Sequence, residues 1–381
     1  MTLQASRWPD DDARRGWAAR TAVTEDAHWI ADVVLSAQDS GEPRAYPALL
    51  LGHHFVRIVY EGATAIRSAN THVGWPTLAD LISDQFADIT ARARHVSKLL
   101  DDTAKAYEDV LADLDRVYRH NHATLTGNTH SWLRWLETDM GVYSIGDRIV
   151  GASIPMAYRL ALDPADQGAM AGEGLADVTR EWGGTVAVLQ AATLSEPLVE
   201  AGSLDLTDRR IGYRDCLAAR YLKNRYEPEF PLALKLLILM IEGDLNTNIV
   251  YLPLTEAGHE NATFRARVVS AYHSLTSLDQ VSERSRSLGS PGLRELRSIL
   301  ADPPTRRLLS RGGKQVRNRC VHYEIKNRSI SLDPSRPMHG IVEAVNPETT
   351  FGEFDVLVQD VTRRLADFLG TWQPRHPSTS S

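Results

Sequence analysis

The residues that staple or metallate small proteins are nearly missing: the 381-residue chain has two cysteines, Cys216 and Cys320. That excludes a multi-bridge disulfide framework and a four-thiolate zinc site, and it makes a reducing cytosol the expected compartment. Long apolar runs are also absent. The longest, 231–241, is interrupted by Lys235 and is too short to span a bilayer, so no membrane partner is expected. The opening MTLQASRWPDDDARRGW carries no apolar stretch behind its charges, and no secretory signal is expected there. There is no Gly-rich phosphate loop, no Gly-x-Ser-x-Gly elbow and no Cys/His arrangement suited to nucleophilic catalysis. Lysine is scarce too: six of the 42 basic residues, which leaves 36 arginines.

What remains is an ordinary globular composition, 43% hydrophobic and 24% charged, in a chain long enough for two to three domains and a sizeable core. The net charge of −7 argues against a polyanion wrapped over the whole surface. The charge is unevenly placed. Between 283 and 319 there are ten basic residues against Glu283, Glu295 and Asp302, so this window carries +7 and the remainder −14. A basic patch on an acidic protein suits a phosphate-bearing ligand held at one place; a solvated helix face accounts for it equally.

Periodicity is mostly helical. Apolar spacing predicts helices over 22–36 and 47–68. From Pro76 no further proline or glycine occurs until Gly127. In that stretch Ile82, Phe86, Ile89, Ala93, Val96, Leu100, Thr103, Tyr107, Val110, Leu114 and Val117 alternate four- and three-residue steps, a heptad seam. One helix of about 60 Å is expected, packed within the chain or across a dimer. The 131–140 stretch reads as a short helix, 141–161 is mixed with β-branched residues, and 163–174 is a Gly/Asp/Ala connection. Residues 232–241 read as a helix buried on most sides, and 263–281 as a long amphipathic one. Helices are expected over 291–300, then over 305–325 with Thr305 as cap, running through or restarting after Gly312-Gly313, and over 353–369. Segments 329–332 and 340–345 suit a small hairpin or an irregular excursion. The expected organisation is an N-terminal helical region (1–162) that regulates or dimerises, a linker with a connecting helix (163–204), a C-terminal helical domain (205–372) and a disordered tail (373–381).

Inside the basic window stands Arg317-Asn318-Arg319-Cys320-Val321-His322. On a helix Asn318 and His322 share a face, while Arg317 lies about 140° round with a side chain long enough to reach the same groove. Histidine moves protons near neutral pH, arginine forks onto phosphate oxygens, and asparagine fixes a tautomer or holds a ribose hydroxyl.

The string Arg317-Asn318-x-x-x-His322 resembles the signature of HEPN domains, helical bundles of prokaryotic toxins and phage-defence proteins. Requiring Asn after Arg and His four beyond it leaves roughly 0.03 matches expected by chance. The placement also agrees, on the helix before the last one. The resemblance implies an all-α HEPN-like bundle at the C-terminus and a metal-independent endoribonuclease without cofactor. In it His322 serves as general base or acid, Arg317 stabilises charge on the phosphorus oxygens and Asn318 orients the site. The products would be a 2′,3′-cyclic phosphate and a 5′-hydroxyl. Two motifs facing each other across a dimer form the family's cleft, so one motif per chain implies a homodimer, with an antitoxin or trigger-sensing partner in a toxin or defence setting. Arg306, Arg307, Arg311, Lys314 and Arg319 are the expected RNA-binding residues. The alternative is a non-catalytic HEPN-like module that binds RNA or a nucleotide, or scaffolds a complex.

Other strings carry less. Glu25 to His28 and Glu256 to His259 have the Glu-x-x-His form of di-iron bundles, but roughly 0.7 such strings arise by chance and Gly258 spoils the second as a helix. Asp101-Asp102 with Glu108-Asp109 lacks the second metal motif of terpene cyclases. His53-His54 and His120/His122 have no third ligand at defined spacing, and Arg116 to His122 matches the loose Arg/His pattern by accident. No metal site is expected.

Overall fold

The computed structural model describes residues 11–39, 50–69, 78–101, 105–127, 136–160, 173–191, 204, 206, 211–325, 327 and 330–373. The helices used below are α1 (Asp11–Asp39), α2 (Gly52–Ala69), α3 (Asp84–Val96) and α4 (Tyr107–Leu125). Strands β1 (Met140–Ile145) and β2 (Arg148–Ala152) come next, followed by α5 (Ser153–Arg159), α6 (Glu173–Gln190) and β3 (Ile211–Cys216). The C-terminal third holds α7 (Leu232–Val250), α8 (Glu260–Arg284), α9 (Pro291–Ala301), α10 (Pro303–Leu309), α11 (Arg311–His322) and α12 (Phe351–Thr371). The fold is all-α in class, with one small sheet. Pro76, Thr103, most of 163–204 and the tail from 374 lie outside the described residues, as does 131–135 of the expected short helix, whose last residue, Met140, opens β1.

Among the described residues two large hydrophobic cores and a small third one organise the chain, and α8 runs through both large ones. Its Phe264, Val268 and Leu275 belong to the larger one, with α7, α9 and α12; Ala262 and Ala266 belong to the second, with α1, α2 and α6. Helix α7 is buried almost throughout, as its apolar run implies. Two of its polar side chains bond to the sheet: Asn246 Nδ2 donates to the Ile149 carbonyl at 2.9 Å and Thr247 Oγ1 to that of Val150 at 3.4 Å. Gly243 is what lets helix and strand meet, since a Cβ there would stand 3.1 Å from the Val150 oxygen. The antiparallel sheet has the order β2-β1-β3, pairing Val142 with Ala152 and Met140 with Cys216, so residues on both sides of the 163–204 segment share it.

The heptad helix is corrected. In place of one 60 Å rod the chain forms Leu78–Leu81, α3, a single 3₁₀ turn Leu99–Asp101, and α4. The seam residues Ile82, Ile89, Ala93, Val96, Leu100, Val110, Leu114 and Val117 are nevertheless all buried. Those up to Ala93 enter the second core and those from Val96 onward the first, so the break at 97–101 passes the chain from one core to the other. Leu99 makes the turn with a φ of 55°. Burial has followed the pattern while continuity has not, and the seam packs within the chain.

Of the two readings for 329–345, the irregular excursion holds and the hairpin does not: among the described residues this part has no strand. Met338, His339 and Gly340 all take positive φ around a 3₁₀ turn, and Ile341–Val345 is a short helix. No described helix is long and apolar enough to cross a membrane.

Candidate functional site

Both ends of α11 are specified locally. Ser310 is its N-cap, accepting from Gly313 N at 3.3 Å. Gly313 is required because a Cβ would overlap the Leu308 carbonyl where α10 meets α11. Thr305, expected as the cap of the preceding helix, is instead buried inside α10, whose N-cap position is Asp302. The physical reason is Pro303 and Pro304, which are preorganised for a first helical turn. At the far end Tyr323 takes φ 57° and stops the helix immediately after His322, earlier than the expected Ile325.

The strain at Tyr323 is held by a buried network. Its hydroxyl donates to Asp26 Oδ2 at 2.7 Å and accepts from Arg57 Nη1 at 2.8 Å. Arg57 also donates to Asp26 Oδ2 (2.7 Å) and to the Cys320 carbonyl (2.8 Å), while Arg265 Nε reaches Asp26 Oδ1 (2.7 Å). Asp26, Arg57 and Arg265 are at most 1% exposed. Helices α1, α2 and α8 are thereby fixed to the end of α11.

On α11 Arg311, Lys314, Asn318 and His322 recur at three- and four-residue steps and form one stripe, in which Asn318 is half-buried and the other three are exposed. Arg306 and Arg307 are exposed on α10, the latter bonded to Thr349 Oγ1. Arg319 turns away from the stripe to the Glu324 carbonyl, and burial followed by the charge of Arg15 lowers its pKa.

His322 is 47% exposed, and its Nδ1 lies 2.8 Å from Oε2 of Glu61 on α2. Arg94 Nε on α3 binds the other Glu61 oxygen at 2.7 Å. Burial raises the Glu61 pKa, but the hydrogen bond from His322 and the charge of Arg94 more than offset that and hold it at about 2. An ionised carboxylate only accepts, so Nδ1 donates to Glu61, and Nε2 is the ring nitrogen not engaged in that contact.

Arg317 points the other way round the helix. It pairs with Asp101, its guanidinium carbon lies 5.0 Å from the centre of the Tyr272 ring, and its Nη1 donates to Asn318 Oδ1 at 2.9 Å. Its side chain is 12% exposed, and burial together with the like charge of Arg94 brings its pKa down to about 10, still protonated at neutral pH. Asn318 thus orients Arg317 and not the imidazole. His273 is fully buried, and desolvation, helped by Arg94, lowers it to about 3.

Sequence reasoning named Arg317, Asn318 and His322 but missed Glu61, Arg94, Tyr272 and His273, and considered Asp101 only as a metal ligand. A lone carboxylate in the apolar 47–68 segment was the available signal for Glu61. The accidental string Arg116–His122 serves as a control. His122 Nδ1 sits 2.7 Å from the buried Asp139, a dyad like that of His322, but Arg116 is exposed and pairs with Asp113. His53 and His54 are buried and share Ser270 Oγ at 3.1 and 3.2 Å. Glu25 pairs with Arg265, and His259 with Asp32. Among the described residues no three His, Cys, Asp or Glu gather at metal-ligating spacing.

A scan against protein-family models, a search of curated proteins and a search of solved structures each return no match.

Proposed function

We propose that the chain is a metal-independent endoribonuclease of HEPN type, a cytoplasmic toxin or phage-defence effector that works as a homodimer. The observation that carries this reading is the His322–Glu61 dyad: an imidazole with one nitrogen fixed by an ionised carboxylate and the other not engaged in that contact, on the same helix as Arg317. His322 Nε2 takes the proton of the ribose 2′-hydroxyl as that oxygen attacks phosphorus. The bond from phosphorus to the 5′-oxygen breaks, and an imidazolium, this one or its symmetry mate, returns a proton to the leaving oxygen. The products are a 2′,3′-cyclic phosphate and a 5′-hydroxyl. Arg317 supplies fixed positive charge to the phosphoryl oxygens, and the stripe Arg311–Lys314 leads the RNA backbone toward His322, with Arg306 and Arg307 on α10 beside it. An antitoxin or trigger-sensing partner would cover this stripe.

The test is purified protein with end-labelled RNA, with and without EDTA. Cleavage that survives EDTA, leaves cyclic-phosphate ends and vanishes in His322→Ala supports the reading; cleavage abolished by EDTA rejects it. One observation favours a second reading, a module that binds RNA without cutting it: Arg317 is already paired with Asp101. RNA binding that is equal in wild type and His322→Ala, without products, would select that reading.

A further inference from the structure

Among the described residues three buried polar atoms between α3, α8, α11 and the Leu99–Asp101 turn have no hydrogen-bond partner: Arg94 Nη2, Arg317 Nε and His273 Nε2. Buried polar groups are nearly always satisfied, so a group of orphans in one place requires a cause. The charge of Arg94 acts on both Arg317 and His273, and the Asp101 carboxylate pairs with Arg317 and stands 3.7 Å from His273 Nε2. Glu61 binds only the Nε edge of Arg94 and leaves Nη2 open. Arg317 beside the Asp101 carboxylate and Arg94 beside that of Glu61 thus each keep one buried donor that the paired carboxylate does not fill.

We propose that this is an oxyanion site for an RNA phosphate, kept shut by the Asp101 carboxylate standing in the phosphate's place. The exchange is charge-neutral, one negative oxyanion for another. Hydrogen-bond capacity therefore decides it: a phosphate brings more acceptor oxygens than a carboxylate, and Arg94 Nη2 and Arg317 Nε are the donors that the carboxylates leave open. The turn is built for a local release. Leu100 anchors it to α8, its N–H donating to Ser277 Oγ at 3.1 Å and its carbonyl accepting from Gln280 Nε2 at 2.6 Å. Leu99 on the near side holds a left-handed φ that a branched residue adopts only under strain. Asp101, 18% exposed, can swing out while Leu100 stays bound. The effect on cleavage rests on the nuclease reading; the effect on phosphate binding does not.

The test is calorimetry at constant ionic strength with two probes, inorganic phosphate and a single-stranded RNA oligomer whose 2′-O-methyl riboses prevent cutting. Asp101→Asn should bind the RNA about tenfold more tightly than wild type, and adding Arg317→Gln should erase the gain. A gain for inorganic phosphate alone overturns the assignment to RNA, and no gain for either probe overturns the site. Should Asp101→Asn fail to fold, wild-type melting decides. Phosphate should raise the melting temperature above matched chloride in wild type but not in Arg317→Gln; equal melting overturns the site. If Asp101→Asn binds more tightly while neither protein cuts RNA, the oxyanion site stands and the nuclease reading falls. If wild type cuts RNA and Asp101→Asn gains neither affinity nor rate, the nuclease stands and the gate falls.

Discussion

Two buried ionic clusters touch α11, and they follow different rules. At its C-terminal end Asp26 takes hydrogen bonds from Arg57, Arg265 and Tyr323 on both oxygens, and Arg57 Nε is its one orphan. About one turn earlier Arg317 and Asp101 pair without a well-directed hydrogen bond, beside further orphans on Arg94 and His273. A satisfied network in a low-dielectric interior rigidifies; an unsatisfied one is costly and persists where something else is meant to complete it. The first cluster fixes the helix, and the second leaves buried donors unfilled beside it.

The comparison can be broken from either side. The largest expected effect is on catalysis: His322→Ala should lower RNA cleavage about 10²–10⁴-fold with little change in melting temperature, as measured by single-turnover kinetics. The satisfied cluster should answer in stability instead. Asp26→Ala leaves Arg57 and Arg265 buried without their shared anion, and urea denaturation should show a loss of about 3–5 kcal/mol. A similar stability loss in His322→Ala would erase the distinction.

Acid sharpens the contrast. Glu61 is held at about 2, below its ordinary 4.5, so it contributes stability above pH 4.5 that is lost as pH falls toward 2. The loss should come to about 2–3 kcal/mol and should be absent in Glu61→Gln, followed by urea unfolding across that range. The smallest effect belongs to Tyr272→Leu. It removes the ring against Arg317 and should cost about 1 kcal/mol in the same assay.

Local spacing was enough to locate the motif helix. The Gly312-Gly313 pair and the four-residue step from Asn318 to His322 lie within one short segment, although the cap fell on Ser310 and not on the expected Thr305. The partners were not legible, because Glu61 reaches His322 across 261 positions and only tertiary packing joins them. The heptad stretch shows the same division. Its periodicity marked buried residues correctly, yet no periodicity shows that Leu99 turns the chain between two cores. The sheet was hidden for a related reason, since β1 finds its second neighbour in β3, beyond the 163–204 segment.

The weld at Tyr323 also sets how this protein can be divided. A fragment cut at 205 would inherit Arg265 and Tyr323 without the aspartate that accepts their hydrogen bonds, and β3 without the strand it lies against. Helix α11 is thereby moored to the first two hundred residues, and transplanting the C-terminal half into another protein would leave that end of it unanchored.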